Sequence, residues 1–115
     1  MPNQDRRPEP GGLEKHICDF TPAWHAASGR LLGIGQTVRY RDDAKPVLGR
    51  RETAYASYDP EQKAWSDWDA VRMPEQDRKF LHCGAGSAQR VDLPNGDLLI
   101  PIYFSDGGPV RKSAV

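Results

Sequence analysis

Residues 31–40 alternate strictly. Leu32, Ile34, Val38 and Tyr40 fall on one side of the chain, and Leu31, Gly33, Gly35, Thr37 and Arg39 on the other. A period of two places these rows on opposite faces of a β-strand. Gln36 interrupts the apolar row, so its amide must be hydrogen-bonded or face a cavity. Residues 23–27 precede this strand, and Ser28-Gly29 supplies a turn, which predicts a hairpin. A third strand is predicted over 52–58, with Tyr55 and Tyr58 on opposite faces. Asp59-Pro60 starts the next turn, and 64–71 is a fourth, Trp-rich strand. Residues 73–86 read as a polar connection with one helical turn at 75–80. A fifth strand over 88–92, the turn Pro94-Asn95-Gly96 and a sixth strand over 97–104 follow. No segment keeps a 3.6-residue period over three turns, so the chain is predicted to be all-β.

Composition sharpens this picture. Of 115 residues only 21 are Leu, Ile, Val or Phe, and another 21 are Gly or Pro. The chain carries 16 basic and 16 acidic side chains and no net charge. Such a balance argues against nucleic acid or an anionic membrane as partner. No apolar run reaches the length of a membrane span. Aliphatic scarcity with high net charge would signal disorder, but here the charge is zero and ten aromatic residues are present. Residues 1–13 are expected to form a disordered arm rather than a signal peptide, and 106–115 a flexible tail. Localisation is left open. Cys18 and Cys83 are too few for a disulfide scaffold. They are read as ordinary thiols, with one bridge between them as the alternative. His16, His25 and His82 lack the spacing of a zinc site, and no cofactor is implied.

An internal repeat is visible. Ser28-Gly29-Arg30-Leu31-Leu32 matches Asn95-Gly96-Asp97-Leu98-Leu99 at an offset of 67 residues. Each copy is a strand, a turn with glycine, and a strand opening Leu-Leu. The first copy continues into two more strands, making a four-stranded antiparallel meander over 14–74. The second, 75–105, comprises a connection and half a meander. Four strands per repeat is the pattern of a propeller blade. The alternative is two hairpins that share a common turn.

Ser57-Tyr58-Asp59 followed by Trp65 resembles the Asp-box of sialidase-like (BNR-repeat) propellers. Glu61 stands where that motif has glycine, and Trp65 comes one residue late. Thr21-Pro22-Ala23-Trp24-His25, Gly35-Gln36-Thr37, Thr53-Ala54-Tyr55-Ala56, Trp65-Ser66-Asp67-Trp68, Gly86-Ser87-Ala88-Gln89 and 98–103 extend the resemblance over roughly residues 17–105. The resemblance implies about one and a half blades of an incomplete propeller. It also implies descent from a glycoside hydrolase acting on terminal sialic acid or a related sugar, in a family often secreted or periplasmic. That family uses a Tyr nucleophile activated by Glu, an acid/base Asp, and arginines that bind carboxylate as bidentate forks.

No catalytic residue is assigned here, although Tyr40 and Tyr103 are candidate phenols. Propeller geometry would put His25, Gln89 and Arg90 at a substrate mouth, with Arg39, Arg51 and Glu52 flanking the loop between the second and third strands. Gln36, as the polar interruption of an apolar row, is a further candidate ligand contact. The turn at Ser57, Asp59 and Trp65 is structural. Each candidate also fits an ordinary structural role: Arg39 and Glu52, for instance, suit a cross-strand ion pair on a solvated face. The isolated chain is expected to be inactive. A noncatalytic glycan- or protein-binding module and a truncated remnant are the alternatives. Trp24, Ile34, Tyr55, Trp65, Ile100 and Phe104 are expected to leave apolar surface that favours self-association.

Overall fold

The glycines at the centre of the predicted strand decide how the sheet bends. In the computed structural model, which describes residues 6–41, 45–47, 50–74, 79–86, 89–106 and 111–114, the longest strands are β2 (Leu13–His25) and β3 (Arg30–Arg41). They pair antiparallel along their whole length. Cys18 faces Gln36 and Thr21 faces Ile34, so Asp19 and Phe20 together oppose the single residue Gly35. This is a β-bulge, and Asp19 takes the left-handed conformation at φ 52°. The extra residue puts Phe20 on the same face as Ile17. A side chain at Gly33 would lie 2.0 Å from Phe20 Cζ, and one at Gly35 would lie 2.8 Å from the Cys18 carbonyl. Both positions therefore need glycine for Phe20 to lie flat across β3.

The sheet extends on both sides of this hairpin. β1 (Arg6–Glu9) pairs with the start of β2. On the other side, β4 (Lys45–Val47) pairs with the end of β3, and β5 (Thr53–Asp59) with its first half. Short strands β6 (Ala64–Trp65) and β7 (Asp69–Ala70) line the far edge of β5. The order β1-β2-β3-β5-β6 is a meander, and it curls into a half-barrel. Its first and last rows meet: the Arg7 guanidinium stacks 3.5 Å above the Trp68 ring and donates to the Trp68 carbonyl. Ile17, Ala54, Ala56 and Trp68 form the core of the concave side, with Phe20 and Trp65 against them.

The convex side is covered by a second sheet of β8 (His82–Gly84), β11 (Ile102–Ser105) and β12 (Lys112–Ala114), in the order β12-β11-β8. Arg51 joins the two sheets through backbone bonds to Leu81 and Cys83. Consequently β3 is buried on both faces from Gly33 to Val38. A separate hairpin, β9 (Val91–Asp92) and β10 (Leu98–Leu99), packs on the β2–β3 turn.

Several expectations need correction. Residues 6–12 form β1 and its turn and Leu13 opens β2, so 6–13 is not an arm, and Lys112–Ala114 is a paired strand within the expected tail. The polar connection contains β8, while its expected helical turn lies largely outside the described residues. The fourth strand breaks after Trp65 so that Trp68, 2% exposed, turns into the core. The sixth breaks at Ile100-Pro101, and its halves join different sheets. Ile34 and Phe104 are buried by the chain itself, so of the residues expected to be bare, Trp24 and Tyr55 remain exposed. Cys18 and Cys83 are both free thiols.

Candidate functional site

The residues proposed from sequence occupy three separate places. At the β2–β3 turn, His25 Nδ1 lies 2.7 Å from Ser28 Oγ, and Nε2 lies 2.9 Å from the Gly96 carbonyl. Arg90 donates to the Ala23 carbonyl at 2.9 Å and to the Leu32 carbonyl, and pairs with Asp92 at 2.8 Å. That guanidinium holds the Asp92 carboxyl below its ordinary range. Its neighbour Gln89 is exposed. These contacts fasten the two halves of the sequence repeat to each other.

Midway along β3, Gln36 is enclosed. Its amide donates to Asp19 at 2.9 Å and accepts from the Tyr103 hydroxyl at 2.5 Å. A side chain at Gly84 would lie 2.5 Å from its Oε1. The polar interruption of the apolar row is thus satisfied within the protein.

At the far end, Arg39 and Glu52 belong to a charged cluster. Arg39 bonds Glu9 at 2.7 Å, Lys15 lies 3.2 Å from Glu9 and 3.4 Å from Glu52, and Arg39 lies 3.7 Å from Glu52. The hydrogen bond from Arg39, joined by Lys15, lowers the Glu9 pKa despite the opposing effect of burial. Tyr40 packs on His16, and burial together with nearby Cys18 raises its pKa. Asp59 accepts backbone N–H bonds from Glu61 at 2.9 Å and Gln62 at 3.5 Å, organising its own turn. Among the described residues no group of three His, Cys, Asp or Glu side chains could hold a metal ion.

A different group of residues is brought together by register. Trp24 faces Leu31, Leu31 faces Tyr58, and Tyr58 faces Trp65, on four adjacent strands. The four share the concave face with Gly33 and Phe20. Tyr58 and Trp65 rings stand 5.5 Å apart, and Phe20 meets Trp65 edge-on at 5.3 Å. At strand spacings of ~4.8 Å, Trp24 and Trp65 mark the ends of a row about 14 Å long. Trp24 is 56% exposed. Arg30 and Asp59, paired at 3.6 Å, border the row. Each aromatic residue is visible in the sequence, but their alignment depends on the pairing of β6 with β5.

Comparison with protein-family models, with curated proteins and with solved structures finds no match to this chain.

Proposed function

We propose that this chain binds carbohydrate without hydrolysing it. The observation that carries the proposal is the row Trp24–Leu31–Tyr58–Trp65 along the open lip of the half-barrel. Sugar rings have apolar C–H faces and polar edges. An aromatic row offers dispersion and apolar contact to the faces, while the rim at Arg30 and Asp59 can hydrogen-bond hydroxyls. Single-stranded nucleic acid also stacks on aromatic rows, but it requires a positive groove, and the chain has no net charge.

The fold-level part of the proposal is a blade-like unit of the sialidase-like kind. It comprises β2, β3, β5 and the broken row β6/β7, with the Asp59 turn in the place of the Asp-box. The meander order and the backbone bonds to Asp59 support it. In this reading the β8–β11–β12 sheet covers the outer face where a propeller would set another blade. The binding role is favoured over hydrolysis because the candidate residues His25, Gln36, Arg39, Glu52 and Arg90 are engaged within the protein at three separate places.

Titration of tryptophan fluorescence with neutral and sialylated oligosaccharides tests the proposal. Saturable quenching by at least one class is expected, lost in Trp24→Ala without a change in thermal stability. No response to any oligosaccharide, or a response unaltered by Trp24→Ala, overturns it. Turnover of a fluorogenic sialoside by the purified chain would replace binding with hydrolysis.

A further inference from the structure

At the opposite end of β5 from the aromatic row, a cavity of about 230 Å³ is lined by Arg50, Arg51, Arg72, Glu52 and a set of apolar side chains. Among the described residues its charges do not cancel. Glu52 is held by Lys15 and Arg39, inside a cluster whose other acid, Glu9, balances the second base. Arg50, Arg51 and Arg72 make no ion pair with any described residue. Arg51 Nη1 donates to the Tyr103 hydroxyl at 3.3 Å. Val71, Met73, Phe80 and Cys83 give the cavity an apolar part to its lining. Burial pushes the Cys83 thiol pKa up, the Thr53 hydroxyl offsetting part of that effect, so Cys83 presents a neutral surface.

The geometry points to a binding site for a small carboxylate with an apolar body, its anionic head among Arg50, Arg51 and Arg72 and its body against Val71, Met73 and Phe80. Guanidinium forks bind a carboxylate through paired N–H donors, and such charge-assisted bonds exceed neutral ones in strength. The backbone bonds from Arg51 to Leu81 and Cys83 fix one arginine where the two sheets join. The cavity lies below the roughly 300–1,000 Å³ of sites that hold drug-sized ligands. Its occupant is therefore a small acid, and five residues of β5, Thr53 to Ser57, separate the lining residue Glu52 from Tyr58 of the aromatic row.

Benzoate is a suitable probe, with benzamide as its uncharged analogue and inorganic phosphate as an anion without an apolar body. In NMR titrations of the full chain, benzoate is expected to shift the amides of Val71 and Cys83 saturably. Benzamide and phosphate should bind at least about tenfold more weakly, since each lacks one half of the recognition. Arg72→Gln and Arg50→Gln, both at exposed positions, should each weaken benzoate by about tenfold or more. Arg30→Gln and Trp24→Ala, at the far end of β5, should leave it unchanged, which separates this site from the carbohydrate proposal. Absence of benzoate binding, equal binding of benzamide or phosphate, or indifference to both Arg50→Gln and Arg72→Gln overturns the inference.

Discussion

His25 Nε2 stands 2.9 Å from the carbonyl oxygen of Gly96, joining the turns of two hairpins 71 residues apart. Gly96 adopts φ 95°, and a side chain there would approach Ala27 Cβ to 3.1 Å. The contact ties the β9–β10 turn to the half-barrel, and Arg90 adds bonds from the start of the same hairpin to the Ala23, Trp24 and Leu32 carbonyls. His25→Ala should cost about 1–2 kcal/mol through the loss of two hydrogen bonds. Amide exchange should accelerate at Leu93 and Gly96 while Thr37, in the middle of β3, keeps its protection. Uniform acceleration across both sheets would show that the hairpin is not a separate unit.

Gly33 and Phe20 should behave as a coupled pair. Gly33→Ala places a methyl group against the Phe20 ring and should cost about 1–3 kcal/mol. Phe20→Ala removes that obstruction, so the double variant should lose less than the two single losses combined. Urea denaturation of the four proteins measures the coupling. Strict additivity would mean that the ring swings aside freely.

Gln36 predicts a similar test in polar form. Gln36→Leu leaves the Asp19 carboxylate and the Tyr103 hydroxyl without their partner and should cost about 1–3 kcal/mol. Tyr103→Phe in the same protein should recover part of the loss, because it removes one orphaned group. Thermal melts of the single and double variants decide this. No recovery would place the damage at Asp19.

The acid side of the stability profile should depend on Glu9. Its folded pKa is depressed from the ordinary 4.5 by the Arg39 hydrogen bond and by Lys15. A depressed carboxylate adds stability above its unfolded pKa and loses it as pH falls through the folded one. Urea midpoints should therefore drop as pH is lowered from about 4.5. Glu9→Gln should flatten this part of the profile. An unchanged slope would assign the acid sensitivity to other carboxylates.

Legibility followed the length of each pattern. The alternation over 31–40 identifies both faces of β3 correctly, and Asp59-Pro60 and Pro94-Asn95-Gly96 mark real turns. The start of β2 escaped because Lys15 and Arg39 face inward, where their charges are matched with Glu9 and Glu52. β8 is buried throughout and only three residues long, too short for a period to register. Trp68 obscured the end of the fourth strand, since an aromatic residue suits a strand but here leaves its line to meet Arg7. His25, Gln36 and Arg90 could be singled out as polar residues within apolar surroundings. Their partners lie at Gly96, Tyr103 and the Ala23 and Leu32 carbonyls, and such long-range pairing leaves no local signal.

The half-barrel also implies an order of assembly. The β2–β3 hairpin closes through a four-residue turn, and β5 then adds to β3 across a connection of moderate length. The Arg7–Trp68 contact instead closes a separation of 61 residues. Loop-closure entropy increases with the chain enclosed, so contacts near in sequence form at lower cost. The hairpin is therefore expected to assemble first and the junction of the two edge rows last. Arg7→Ala should then speed unfolding while leaving the folding rate almost unchanged, whereas Gly33→Ala should slow folding. Stopped-flow traces from the Trp68 fluorophore would distinguish this sequence of events from one in which the barrel seam nucleates the fold.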